Sequence, residues 1–282
     1  MIHMRDIRFQ YGKQPLFTHL NLTIQKGNIY GLLGVNGAGK TTLLKIISGQ
    51  LFPSEGESSV LGFNPINRDP HMLEDLFHLP EEFFLPRVTT QEYVSTYAPF
   101  YPKFDREAFN RYCEEFGVDQ KQQLTALSFG QKKKFLLSFG LASNTALLIL
   151  YEPTNGLDIP SKSQFRRTVA SAMTEDRTFI ISTHQVRDME NLIDPIIVID
   201  SGDVIFNSPL YAISENFTIG LESAQPEPES AIYTEKVPGG WMVIRNRASH
   251  EDETSVDLET LFNAIVAHPQ HFRNGLEQGG AQ

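Results

Sequence analysis

The sequence is poor in cysteine and in long apolar runs. Its single cysteine, Cys113, excludes an intrachain disulfide and a metal site built from several cysteines, which fits a protein of the reducing cytoplasm. The apolar run at residues 146–150 is far shorter than the ~20 residues that cross a bilayer. The first ten residues contain no apolar stretch of signal-peptide length. We therefore expect a chain that is neither exported nor embedded in a membrane.

Positive charge is also scarce. The 282 residues include 24 Lys and Arg against 34 Asp and Glu, which gives a formal net charge of −10. Proteins that coat nucleic acid usually present a basic surface, so no nucleic-acid partner is expected. What the chain does have is 40% hydrophobic and 21% charged residues, the ordinary composition of a globular protein with a buried core.

Strands and helices alternate in the residue pattern of the first two thirds of the chain. Strands are predicted at residues 7–11, 20–24, 29–33, 147–150 and 178–182. The last three are mostly apolar, which is typical of strands buried on both faces. Helical spacing follows at residues 42–48 and 163–173. The pattern predicts an α/β core with a mainly parallel sheet.

Aromatic residues are concentrated in residues 69–117, which predicts the core of a helical subdomain. The alternative is that an exposed subset of these rings forms a surface for a partner. Residues 222–230 are acidic and contain proline, as in a linker. Beyond them the sequence predicts a hairpin at residues 231–244 and a helix at 258–267, and we expect residues 277–282 to be frayed.

A glycine-rich loop separates the predicted strand 29–33 from the following helix. Its sequence, GVNGAGKT at residues 34–41, fits the pattern G-x-x-x-x-G-K-[ST]. Glycines allow successive backbone amides to point at phosphate oxygens, and the helix adds its positive N-terminal dipole. Lys40 would bind the β- and γ-phosphates of a nucleotide, and the Thr41 hydroxyl would bind Mg²⁺. The candidate phosphate-binding residues are Gly34, Asn36, Gly37, Ala38, Gly39, Lys40, Thr41 and Thr42.

Three further motifs follow in a fixed order. They are LSFGQ at residues 127–131, YEPTNGLD at 151–158 directly after the apolar strand, and Thr183-His184 at the end of the next strand. With the phosphate loop, these motifs resemble those of the nucleotide-binding subunit of an ATP-binding cassette (ABC) transporter, over roughly residues 2–212.

The resemblance implies a P-loop NTPase fold of the ABC type. Residues 1–212 would form the ATP-binding domain, with a mainly parallel core sheet, an antiparallel β-subdomain and a helical subdomain at about 69–140. An acidic linker at 213–230 would lead to a small C-terminal α+β appendage at 231–282.

The resemblance also implies roles for single residues. Tyr11 would stack on adenine, Glu152 would polarise the attacking water, and His184 would contact the γ-phosphate. Members of the family act as head-to-tail dimers, in which the signature segment, residues 127–131, covers the ATP bound by the other subunit. The residues implied in the dimer contacts are Ser128, Gly130, Gln131 and Asp158.

Three positions depart from the family's pattern. Phe129 replaces the first of two glycines in the usual Leu-Ser-Gly-Gly-Gln. Tyr151 replaces the aspartate that normally holds Mg²⁺ through water, and a neutral phenol is a poor ligand for this hard cation. Glu81 stands where the family has a glutamine, so its carboxylate would ligate Mg²⁺ directly and partly offset the missing aspartate.

The resemblance therefore predicts the ATP-hydrolysing subunit of a membrane transporter, expected to be an exporter. Its expected partners are a transmembrane permease subunit and a second nucleotide-binding subunit, expected to be a copy of itself. Its expected location is cytoplasmic, peripheral on the inner face of the cell membrane. Because of Tyr151 and Phe129, one alternative is a non-hydrolysing regulator or a degenerate partner of an intact cassette. A soluble ABC-type ATPase of translation or DNA repair is the second alternative.

Overall fold

The computed structural model describes residues 1–248 and 254–273. The predicted frayed end at 277–282 lies outside the described residues. The strands, in chain order, are β1 (Ile2–Tyr11), β2 (Gln14–Ile24), β3 (Ile29–Leu33), β4 (Glu55–Val60), β5 (Leu76–Leu79), β6 (Leu147–Tyr151), β7 (Thr178–Ser182), β8 (Ile196–Asp200), β9 (Asp203–Ser208), β10 (Phe217–Glu222), β11 (Tyr233–Val237) and β12 (Gly240–Asn246). The helices are α1 (Lys40–Ile47), α2 (Pro70–Leu73), α3 (Thr90–Tyr97), α4 (Arg106–Phe116), α5 (Phe129–Ala142), α6 (Ile159–Ser171), α7 (Leu210–Asn216) and α8 (Leu258–Ala267).

The core sheet has six strands in the order β5-β6-β7-β3-β8-β9. Its first five strands run parallel, and only β9 pairs antiparallel, with β8. Every residue of β3 and β7 is buried because helices and a second sheet cover the two faces of the core. The predicted mainly parallel α/β core is confirmed.

The second sheet is antiparallel, in the order β2-β1-β4. Its apolar side chains share one hydrophobic cluster with α1 and with one face of the core sheet. Helices α4, α5 and α6 cover the opposite face in a second cluster. Helix α6 begins four residues before the predicted 163–173 segment, because Asp158 caps it and Pro160 suits its first turn.

The helical subdomain buries most of its aromatic rings. Phe109, Tyr112 and Phe116 of α4 pack with α5, as expected for a subdomain core. Phe84 and Phe100 are instead exposed, by 89% and 67%. Most of the rings therefore form the predicted subdomain core, and the use of the exposed ones as a partner surface stays a prediction.

The C-terminal part forms a third sheet, in the order β10-β12-β11, with the predicted hairpin as β11 and β12. The prediction that residues 213–230 form a linker is wrong in part, because α7 extends to Asn216 and β10 pairs along its length with β12. In that stretch residues 223–227 lack regular structure, and residues 228–230 form a single 3₁₀ turn. The helix predicted at 258–267 is α8, which joins the same hydrophobic cluster as the core sheet.

Across residues 1–248 and 254–273, no helix combines the length and apolarity that a bilayer span needs.

Candidate nucleotide site

The phosphate loop connects the buried strand β3 to α1. Gly34 lies so close to β8 that an added Cβ would approach the carbonyl oxygen of Ile199 to 2.4 Å. Gly39 has a φ of 109°, and a Cβ there would lie 2.6 Å from the ring of Phe17. Both positions therefore require glycine. Ala38 is buried and donates its amide to the carbonyl of Val35 at 3.2 Å, which closes the turn.

The Lys40 side chain folds back across this loop. Its ammonium group donates to the carbonyl oxygens of Gly34 at 2.6 Å and Val35 at 3.0 Å. Burial lowers the pKa of Lys40, and the nearby negative charge of Glu152 opposes that shift. The loop thus holds a buried cation close to a carboxylate.

A pocket of about 300 Å³ opens on the outer side of the loop. The sequence-predicted residues that line it are Tyr11, Asn36, Gly37, Gly39, Lys40, Thr41 and Thr42. The Tyr11 hydroxyl lies 3.1 Å from Thr42 Oγ1, so the half-exposed ring is fixed beside the loop. Tyr151 also lines this pocket, whereas Glu81, which is among the described residues, does not.

Glu152 lies at the carboxyl edge of the core sheet, directly after β6. Its side chain is 3% exposed, and its carboxylate accepts hydrogen bonds from Thr183 Oγ1 at 3.0 Å and from the His184 amide at 2.9 Å. The ring Nδ1 of His184 lies 2.7 Å from the same carboxylate. Because β6 and β7 are parallel neighbours, the residues after each strand meet at one edge. Glu152 also has a φ of 46°, a costly backbone conformation that is concentrated at functional sites.

His184 lies across a cleft from the phosphate loop. The cleft is lined by Gly34, Val35 and Asn36 on one side and by Thr183 and His184 on the other. The structure therefore brings together the loop, Glu152 and His184, which the sequence places far apart.

The signature segment leads into α5, whose first turn lies against the segment that follows Glu152. Ser128 caps the helix by accepting the Gln131 amide at 3.3 Å, and the Gln131 side chain accepts the Ser128 amide at 3.0 Å. A Cβ at Gly130 would lie 3.1 Å from the carbonyl oxygen of Gly156. Asp158 caps α6 through the Ser161 amide, and its hydrogen bonds with Ser161 lower the pKa of Asp158. Ser128, Gly130 and Gln131, all described, do not line the Lys40 pocket.

Lys133 is the residue that sequence analysis missed. The run of lysines at 132–134 predicts a solvated helix face, and that prediction is wrong for Lys133, which is fully buried. Its ammonium group donates to the carbonyl oxygens of Glu152 at 2.7 Å and Asn155 at 3.0 Å. Burial lowers the pKa of Lys133 to about 8. The available signal was helical spacing, since Leu136 and Leu137 lie three and four residues later on the same face.

The side chains at this pocket could hold Mg²⁺ only together with phosphate oxygens of a bound nucleotide. The described residues contain no cluster of three or more His, Cys, Asp or Glu side chains able to hold a metal ion. The exposed Thr41 hydroxyl is a hard oxygen ligand at the pocket. Mg²⁺ in nucleotide sites usually takes one or two protein ligands, with phosphate oxygens and water completing its shell. Thr41 fits that arrangement.

The chain is similar to known ATP-binding subunits. The family model described as ABC transporter matches residues 17–155. The ABC transporter ATP-binding protein NatA of Bacillus subtilis is 30% identical over 227 residues, which cover 77% of this chain and 92% of that protein. The Nod factor export ATP-binding protein I of Burkholderia lata is 29% identical over 286 residues, which cover 98% of this chain and 89% of the relative.

Solved structures agree on the fold. One described as the ATP binding subunit of an ABC transporter superposes with a TM-score of 0.69 at 22% identity. The superposed region covers 76% of this chain and 92% of the other chain. The match to NatA shows that the chain belongs to the ATP-binding proteins of the ABC transporter family, the subunits that bind and hydrolyse ATP for a transporter.

Proposed function

We propose that this chain energises export by hydrolysing ATP between its phosphate loop and Glu152, and that it acts through a separate transmembrane permease. The observation that carries the proposal is the buried carboxylate of Glu152, fixed by Thr183 and His184 close to Lys40. Export is supported by relatives whose names state it, such as the Nod factor export protein.

Binding begins at the phosphate loop. Lys40 exchanges its two carbonyl acceptors for the more strongly charged oxygens of the β- and γ-phosphates. The N-terminus of α1 adds its dipole at the same point. Tyr11 presents its half-exposed ring to the adenine at the edge of the pocket.

Glu152 then acts on the attacking water. A carboxylate offers about four acceptor sites, and Thr183 and His184 occupy three of them through their side chains and the His184 amide. The remaining site accepts a proton of the water and orients its oxygen toward the γ-phosphorus. Nδ1 of His184 faces the carboxylate and donates to it, and a hydrogen bond from Nε2 to the γ-phosphate requires a hydrogen on Nε2 as well, because phosphate oxygens only accept.

The second half of the site comes from another subunit. Ser128 and Gly130 do not line the Lys40 pocket of their own chain, so in a head-to-tail homodimer they cover the ATP bound by the partner. The permease contacts the helical subdomain, where Phe84 and Phe100 are exposed. The proposal includes a position on the cytoplasmic face of the membrane and, because of the net charge of −10, no nucleic-acid partner.

Mg²⁺, when bound, neutralises phosphate charge, and Thr41 would be its protein ligand. The Tyr151 side chain lines the pocket where the family's aspartate is missing, so we expect weak metal binding. Glu81 is exposed outside that pocket and serves less well as a replacement.

The Mg²⁺ dependence of ATPase activity tests this account. Tyr151→Asp is expected to raise the hydrolysis rate at low Mg²⁺, because it restores a charged oxygen near the metal's water shell. Without Mg²⁺ the same variant should be less stable, since the new carboxylate lies beside Glu152. Tyr151→Asn is the matched neutral control and should not lower the Mg²⁺ requirement.

Glu81→Gln tests the competing explanation, in which Glu81 has replaced the missing aspartate as a ligand of Mg²⁺. A large loss of activity in Glu81→Gln, with little effect of Tyr151→Asp, would show that Glu81 holds the metal instead. If the wild type and both variants bind ATP without hydrolysing it, the chain is a regulator or a degenerate partner.

A further inference from the structure

Phe129, the residue that interrupts the signature segment, makes a specific aromatic contact. Its ring stacks on Phe83 with centroids 5.5 Å apart and an angle of 13° between the planes. Phe83 belongs to the segment after β5, next to the highly exposed Phe84. The Phe129 side chain is 51% exposed, so core packing does not account for an aromatic ring at this position.

The same ring also contacts the segment that follows Glu152. A Cβ at Gly156 would lie 3.0 Å from Phe129 Cδ1, so the backbone there lies against the ring. The ammonium group of Lys133 lies 5.1 Å from the ring centroid while it binds the carbonyl oxygens of Glu152 and Asn155. Phe129 therefore touches the segments after both β5 and β6.

We propose that Phe129 is a positioning residue, whose stack with Phe83 fixes the start of α5 so that a displacement of the segment around Phe83 moves Ser128 and Gly130. The inference rests on the proposed function for the role of those two residues in hydrolysis. Phe129 then contributes to the function of the signature segment, and its presence does not indicate a loss of ATPase activity. A glycine at 129 would leave Phe83 without its stacking partner.

A double-mutant cycle in the full chain tests the contact with Phe83→Leu, Phe129→Leu and the double variant. The first measurement is hydrogen exchange at the amides of residues 128–132, which needs no enzymatic activity. Each single variant should raise exchange there about threefold to tenfold, as expected for loss of one aromatic stack. The double variant should add little to the larger single effect, because both changes remove the same contact.

The second measurement is steady-state ATPase activity. Each leucine variant should lower kcat while the KM for ATP stays constant, because the phosphate loop is intact. Phe129→Tyr keeps the ring and should restore kcat. Phe52→Leu is the matched control, since Phe52 is 49% exposed and lies outside the described aromatic contacts of Phe129. It should change neither exchange at 128–132 nor kcat.

Unchanged exchange at residues 128–132 in Phe83→Leu would overturn the inference, as would effects that multiply in the double variant. So would a higher kcat in Phe129→Gly. A wild type that does not hydrolyse ATP would instead contradict the proposed function, and the exchange cycle would still decide whether Phe83 positions the signature segment.

Discussion

Glu152→Gln is expected to lower the rate of ATP hydrolysis by a factor of about 10² to 10⁴, the range for loss of a positioned general base. The substitution keeps the size of the side chain, and its carbonyl oxygen still accepts from Thr183 or from the His184 amide. It removes the negative charge that polarises the water. ATP binding should persist, because Lys40 and the loop are unchanged.

Steady-state phosphate release and equilibrium ATP binding measure the two effects separately. Glu82→Gln, an exposed carboxylate outside the Lys40 pocket, is the matched control and should behave as the wild type. If Glu152→Gln retained more than about a tenth of the wild-type rate, Glu152 would not be the general base.

Lys40→Ala should weaken ATP binding at least about 100-fold. Two hydrogen bonds from a charged donor to phosphate are lost, each worth roughly 1.5–3 kcal/mol. The folded state should tolerate the change, because Gly34 and Val35, whose carbonyl groups Lys40 now binds, line the open cleft beside His184, where water can replace the ammonium group. Titration calorimetry with ATP measures the affinity.

Lys45→Ala, on the same helix, provides the comparison for a general loss of positive charge. An ATP affinity of Lys40→Ala within a few-fold of that of Lys45→Ala would remove the assignment of the loop as the phosphate site.

Local pattern predicted the elements that have a clear hydrophobic pattern. Strands β3 and β7 and helix α8 coincide with their predicted ranges, because an uninterrupted apolar run or a clear helical spacing leaves few alternatives. Strand β10 was missed although Phe217, Ile219 and Leu221 alternate. The acidic, proline-containing residues after it dominated the composition of that stretch.

Contacts between distant segments could not be predicted in the same way. The sequence identified Glu152 and His184 as candidates, but their hydrogen bond depends on β6 and β7 being neighbours in the sheet. Lys133 looked like part of a solvated run, whereas its buried ammonium group binds the carbonyl groups that the Glu152 segment turns toward α5. The stack of Phe83 on Phe129 likewise exists only in the folded chain.

The central claim is that each ATP lies between the phosphate loop of one chain and the signature segment of another. ATPase activity of mixed variants tests it most directly. Lys40→Ala disables the loop, and Ser128→Asp keeps a good helix cap while it places a negative charge against phosphate. Each variant alone should be inactive. Mixing them should restore hydrolysis, because a mixed dimer contains one site with both an intact loop and an intact signature segment. A mixture no more active than its separate components would contradict the shared site.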